Sequence, residues 1–232
     1  MITAYVFGPQ WELTDPSPFC MKLLTYLSLA NVEYQTKSGM AYIRKSPKGK
    51  MPYIRDGDKV VGDSNLIALH LKTHHDVDLD RHLSPSQRAT SHALSRMLDE
   101  HTYWCLLHFR WVHDENWEQF TRPAFFDPLP FLQRKLLPNL LRKGLIKSSK
   151  AHGMGRHSPE EIAQFGIRDY QCLVDTLGDQ PFMFGDEPTG FDAAAYAFCA
   201  GMIKVPHQSP IRDFVEGSPL VDYVERVAAR LG

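Results

Sequence analysis

The stretch Met51-Pro52-Tyr53-Ile54-Arg55-Asp56-Gly57-Asp58-Lys59-Val60-Val61-Gly62-Asp63-Ser64 reads as an apolar-Pro entry into a strand, one hairpin, and an acid-Ser pair opening a helix. A proline at the start of a strand gives up one ladder bond, which leaves the amide and carbonyl of the preceding residue free for a ligand. Met51-Pro52 is also the bond best suited to a cis peptide. Ser64 is placed to cap the following helix, whose N-terminus attracts carboxylates, and Asp63 suits an ammonium group. One end of this stretch therefore wants a zwitterion, as a small peptide or an amino acid supplies.

Upstream, residues 2–7 read as a strand with apolar alternation at Ile2, Ala4 and Val6, broken by Gly8-Pro9. Ser17-Pro18-Phe19-Cys20 then opens a helix to about Ala30, with Phe19, Leu23, Leu24 and Leu27 at helical spacing. Residues 31–36 read as a second strand, and Ser64 to His74 as a second helix. Strand, helix, strand, crossover, hairpin and helix make one α/β unit over residues 1–75.

The polar stretch 76–85 reads as a linker. Beyond it, residues 86–232 carry helical signals only. Residues 86–116 keep a long helical period, and 131–145 is helical with an interruption at Pro138. Ser158-Pro159-Glu160-Glu161 is a helix-start signal with a cap and a first-turn proline. Thr189 and Asp192 repeat that logic ahead of Ala193 to Val205, which is apolar on nearly every face and predicts a buried central helix. The expected fold class is α/β plus all-α.

A chain of 232 residues with 43% apolar and 23% charged content can build a full core. Its net charge of −1 gives no reason to expect nucleic acid or an anionic membrane as the main partner. The cysteines Cys20, Cys105, Cys172 and Cys199 are far apart, which fits reduced thiols. No basic, apolar leader and no membrane-length apolar run is visible, so a soluble, cytoplasmic protein is expected. His74-His75 and His101/His108 match no metal-binding spacing, so no metal is expected. The basic run Arg142 to Arg156 reads as a solvated loop.

Ser17-Pro18-Phe19-Cys20, Met51-Pro52, Asp63-Ser64 and Thr189/Asp192, in this order and spacing, resemble the glutathione transferase superfamily. Ser46-Pro47-Lys48-Gly49-Lys50-Met51-Pro52, residues 152–158 and Phe184-Gly185-Asp186-Glu187-Pro188-Thr189 look like its branch of failed-axon-connections and metaxin-like proteins. The resemblance spans the chain and implies a thioredoxin-like N-terminal domain followed by an all-helical C-terminal domain. It departs from the common pattern at Asp63, where most of the superfamily carries Glu.

The resemblance implies glutathione as co-substrate, held by Ser17, Lys50, Met51, Pro52, Asp63 and Ser64. Met51 would pair its backbone with the cysteinyl part, Asp63 and Ser64 would hold the γ-glutamyl end, and Lys50 or Lys48 would meet the glycyl carboxylate. A free thiol has a pKa of about 8.5, so a transferase must stabilise the thiolate at neutral pH. A hydroxyl at a helix N-terminus does so, which makes Ser17 the expected catalytic residue. Cys20 is the alternative nucleophile, or a small core residue one turn into the helix.

Leu94, Leu98, Cys105, Phe109 and Val112 make a core stripe on the helix over 94–112. His101, Trp104, His108 and Trp111, with Met97 a turn earlier, line its edge. In the superfamily this helix faces the first domain, so Trp11, His101, Trp104, His108 and Trp111 are expected around a small hydrophobic electrophile. The expected activity is conjugation of the glutathione thiolate to that electrophile by a homodimer. The alternatives are a thiol transferase acting through Cys20 and a non-catalytic, metaxin-like adaptor; the chain shows no C-terminal anchor in its sequence.

Overall fold

A computed structural model describes residues 1–231. Four strands, β1 (Ile2–Val6), β2 (Tyr34–Ser38), β3 (Tyr53–Asp56) and β4 (Lys59–Gly62), form one sheet in the order β2-β1-β3-β4. β1 runs parallel to β2 and antiparallel to β3, and β3 and β4 form the expected hairpin. The register sets Ala4 opposite Ile54, and these join Ile2 and Val6 in the core beneath α1 (Pro18–Leu29) and α2 (Ser64–His75). Tyr5 sits opposite Tyr53 on the other side, where the two rings stack at 4.3 Å and Tyr42 closes edge-on at 5.1 Å.

β2 begins three residues later than the sequence predicts. Asn31 takes the left-handed conformation (φ 51°) just past α1, and the Val32 amide donates to the Leu27 carbonyl. These two residues close the helix, as asparagine at such a position does.

The rest of the chain is helical: α3 (85–112), α4 (114–126), α5 (Phe131–His152), α6 (Pro159–Leu177), α7 (Gly190–Ile203), α8 (Pro210–Glu216) and α9 (Leu220–Ala228). α3 contains two wide π turns, Leu98–Thr102 and His108–Val112, and ends where His113 turns extended. α5 runs past the proline expected to interrupt it, with Pro138 buried inside the helix. Among the described residues no helix is long and apolar enough to cross a membrane. The chain is thus a thioredoxin-like unit joined to a helical domain.

The segment between the two is tied down. Asp80 accepts from the Gly190 amide at 2.8 Å, and a Cβ on Gly190 would stand 3.2 Å from that carboxylate and 3.3 Å from the Tyr26 ring. Glycine there lets the start of α7 approach both.

α7 is buried from Phe191 to Met202 and packs between α1 and the other helices of its domain. Its first turn is held by Asp192, which is fully buried. Asp192 accepts from the Thr189 amide and hydroxyl at 2.8 and 2.7 Å, the Met183 amide at 2.9 Å and the Tyr223 hydroxyl at 2.9 Å. Thr189 and Asp192 form the expected capping box, and the Thr189 hydroxyl also donates to the carboxylate. Burial pushes the Asp192 carboxyl up, while its four hydrogen bonds favour the charged form. Asp192→Ala leaves these buried donors unpaired, at a cost on the order of 3–5 kcal/mol. The melting temperature should fall by roughly 10 °C, as followed by circular dichroism. An unchanged melt would show that this carboxylate does not hold the helical domain together.

Candidate active site

The three sequence features expected to cooperate meet at one end of the sheet. β1 and β3 are antiparallel neighbours with Tyr5 opposite Tyr53, so the chain leaving β1 and the Met51-Pro52 entry to β3 share an edge. β4 returns to that edge with Gly62 opposite Tyr53, and α2 starts there. α1 is drawn to it by Asp15, a residue that the sequence reading passed over as loop. The Asp15 carboxylate is fully buried and accepts from the Phe7, Gly8 and Ser17 amides at 2.8, 2.9 and 2.8 Å. Burial pushes its carboxyl up to about 6 against the pull of those amides.

Ser17 is the N-cap of α1 and half-buried. Its Oγ accepts from the Cys20 amide at 3.4 Å, a long bond that occupies one lone pair. Cys20 is completely buried in the core of the first domain with Met51. Burial, and then the charge of Asp15, push its thiol well above the usual range. A thiol in that state is neither exposed nor ionised, so the inward packing of Cys20 is what the structure carries.

Met51-Pro52 is a cis peptide. Among the described residues no hydrogen bond engages the Met51 amide or carbonyl, while its side chain is buried. The Asp63 amide donates to the Pro52 carbonyl at 3.3 Å, which joins this turn to α2. The cap of α2 is Asp63 and not Ser64: Asp63 Oδ1 accepts from the Asn65 and Leu66 amides at 3.0 and 3.2 Å, and Ser64 is the first, buried residue of the helix. Asp63 is exposed and holds φ 89°, a strained backbone of the kind that persists at binding sites. Both cap bonds go to Oδ1, and no hydrogen bond reaches the second oxygen among the described residues. Lys48 and Lys50 are exposed on the loop before Met51.

The wall from the helical domain differs from the expected one. The side of α3 turned to α1 carries Asp99, Tyr103 and Arg110. Asp99 takes the buried Lys22 ammonium at 3.1 Å, Tyr103 meets the Phe19 ring at 5.0 Å, and Arg110 Nη1 donates to the Pro16 carbonyl at 2.6 Å. Of the five residues expected around the electrophile, His101 turns to α6, with Nδ1 2.7 Å from Asp169 Oδ2. Trp104 stacks on His152 of α5 at 4.4 Å. His108 is buried with neither ring nitrogen partnered among the described residues, and burial lowers its pKa. Trp11 and Trp111 do come together, each meeting the Phe125 ring, at 5.4 and 5.3 Å. Arg110 lies 5.4 Å over the Trp11 ring, so this half-buried aromatic group stands beside the Ser17 loop. Phe125 was not singled out in the sequence because nothing local separates it from Phe126.

Two family models match the chain: the glutathione S-transferase N-terminal domain over residues 18–116 and the glutathione S-transferase C-terminal domain over residues 166–227. The isoprene-epoxide–glutathione S-transferase of Rhodococcus sp. (strain AD45) is 35% identical, over 98% of each chain. Failed axon connections of Drosophila melanogaster is 30% identical over 98% of this chain, which spans 57% of that protein's length. Metaxin-1 of Sus scrofa is 30% identical over 67% of this chain and 51% of its own. Among solved structures, the beta-etherase LigF from Sphingobium sp. strain SYK-6 superposes with a TM-score of 0.70 at 18% identity, over 98% of this chain and 95% of that one.

The burial pattern of the thiols makes a direct prediction. Cys20, Cys105 and Cys199 are buried and Cys172 is exposed. A thiol-reactive dye added to native protein should label one thiol quickly, and Cys172→Ser should abolish that phase. Rapid labelling of Cys20 would show instead that the start of α1 opens to solvent.

Proposed function

The chain belongs to the glutathione S-transferase family, and we propose that it binds glutathione as co-substrate and conjugates it to a small hydrophobic electrophile. The observation that carries this reading is the half-buried Ser17 hydroxyl at the N-terminus of α1. The hydroxyl would donate to the glutathione sulfur, and the helix end would add its positive potential. The thiol proton leaves to solvent, the sulfur electron pair forms a bond to carbon, and the carbon–oxygen or carbon–leaving-group bond breaks. A freed oxygen then takes up a proton. The Met51 amide and carbonyl would pair with the cysteinyl unit as an added strand. Asp63 Oδ2 would take the γ-glutamyl ammonium while Oδ1 keeps the cap of α2. An exposed lysine, Lys48 or Lys50, would meet the glycyl carboxylate.

The aromatic group Trp11, Phe125 and Trp111 would supply the apolar surface for the electrophile. An epoxide is a reasonable first substrate to try, given the name of the Rhodococcus relative. The buried, protonated thiol of Cys20 speaks against a mixed-disulfide mechanism. The relatedness to metaxins keeps a non-catalytic adaptor as the second reading. The adaptor reading requires no retention on immobilised glutathione; the transferase reading requires retention and release by free glutathione.

Two substitutions test the assigned roles. Ser17→Ala should lower conjugation strongly at neutral pH and much less near pH 9, since the thiol, with a pKa of about 8.5, then ionises unaided. Equal loss at both pH values would remove Ser17 from the thiolate. Asp63→Asn keeps an oxygen for the cap and removes the charge. It should weaken glutathione binding by about tenfold or more with little change in melting temperature, as measured by calorimetry. Unchanged affinity would leave Asp63 as a cap alone.

A further inference from the structure

Away from this site, three side chains converge on one point. Asp56 ends β3 at the hairpin turn, and His70 and His75 stand on the last turns of α2. One carboxylate oxygen, Asp56 Oδ2, lies 2.8 Å from His70 Nε2 and 2.6 Å from His75 Nε2. All three candidate ligand atoms lie within 4.8 Å of one another. The Asp56 carboxylate and the His70 ring are largely shielded, whereas the His75 side chain is 38% exposed and opens the group to solvent.

We propose that Asp56, His70 and His75 form a binding site for a zinc-class divalent cation, with water completing its coordination. Two imidazole nitrogens and one carboxylate oxygen suit zinc and its first-row neighbours and disfavour calcium and magnesium, which want oxygen. The ion replaces the Nε2 protons that now face the carboxylate. Bonds of about 2.0–2.1 Å in a tetrahedral shell set ligand atoms roughly 3.3 Å apart, so the carboxylate oxygen moves from each imidazole nitrogen by about 0.5–0.7 Å to admit it. His75, the last residue of α2, has the freedom to make that adjustment. His74 supplies an orienting shell: its ring stacks on His70 at 4.4 Å, and its Nδ1 is held by the Thr73 hydroxyl at 2.8 Å.

A second convergence, His101, Cys105 and Asp169, has the right residue types but not the chemistry. Burial pushes the Cys105 thiol up to about 12, and Thr102 already donates to the shared Asp169 oxygen at 2.7 Å. The expectation of no metal rested on spacing within the sequence. The fold supplies what spacing cannot, bringing an acid from the hairpin to two histidines that are not neighbours in the chain. The ion would staple the β3–β4 hairpin to the far end of α2, roughly 9–16 Å along the helix from Ser64.

The test is a titration of the full chain with zinc chloride against a chromophoric chelator, paired with thermal melts. One zinc should bind per chain and raise the melting temperature. His75→Ala and Asp56→Asn should each weaken binding by about tenfold or more and remove the thermal shift. His101→Ala should change neither readout. Absence of stoichiometric binding, or binding that survives His75→Ala and Asp56→Asn, would overturn the proposal. So would binding that is lost with Cys172→Ser, since the exposed thiol would then be the ligand. None of these readouts depends on glutathione or on conjugation.

Discussion

The structure depends on a helix with no solvent face. α1 lies with Cys20, Leu23, Leu24 and Leu27 in the core under the sheet, while Met21 belongs to the core of the helical domain. Phe19 meets Phe198 of α7 edge-on at 6.3 Å. A helix enclosed in this way must satisfy every polar group it carries from within the protein. It does so at two points. Asp15 takes the amides that would otherwise be orphaned where β1 ends and α1 begins. Lys22, buried at the domain junction, is shared between Asp99 and the Asn65 side chain at 2.9 Å, and Arg96 joins Asp99 from the solvent side. Burial lowers the Lys22 pKa, and the charge and hydrogen bonds of Asp99 oppose that shift. Removing Asp99 would leave an uncompensated charge between the domains.

The same enclosure fixes the chemistry at the start of α1. A helix free to rock would present Ser17 in many orientations, whereas this one is held at Asp15 below and at the Pro16 carbonyl by Arg110 above. Arg110 is itself fully buried, and its pKa falls to about 10 through burial, so it stays charged at neutral pH. Its interactions are with the Pro16 and Gly201 carbonyls and with the Trp11 ring, which joins the α1 entry to the aromatic group. The α1 entry and the aromatic group are therefore parts of one connection between the two domains.

What could be read from the sequence was local. The β3–β4 hairpin, the Ser17 cap, the Ser158 capping box and the apolar α7 are each specified by residues a few positions apart, and each appears in the structure. The acid-Ser pair was legible as a helix start, although the cap is Asp63, one residue before Ser64. The face of α3 was not legible, because a stripe drawn at 3.6 residues per turn assumes an unbroken α-helix. Each π turn adds about one residue and sets back everything after it by roughly 100°. Thus His101, Trp104 and Trp111 face α6, α5 and α4 rather than a common cleft. Asp15 looked like a loop residue before a proline, and its burial depends on a sheet edge contributed by Phe7 and Gly8. Arg110 left one signal, an arginine among Leu106, Leu107 and Phe109 in an apolar run, where a charge must find buried partners.

The electrostatics at the α1 terminus follow from the structural role of this corner. A buried carboxylate beside a helix N-terminus would ordinarily oppose an anionic sulfur nearby, as the raised Cys20 thiol illustrates. Here the Asp15 charge is met by the Phe7, Gly8 and Ser17 amides, which lie on the inner side of the turn. Ser17 itself is half-buried, and its Oγ takes only a 3.4 Å bond from the Cys20 amide. The inner anion is satisfied by backbone that the fold requires in any case. The division follows from geometry: Asp15, two residues before the cap, bonds back to the amides that follow β1, whereas Ser17 caps α1 by accepting from the Cys20 amide. One turn thereby fastens the helix to the sheet and sets the Ser17 cap at its end.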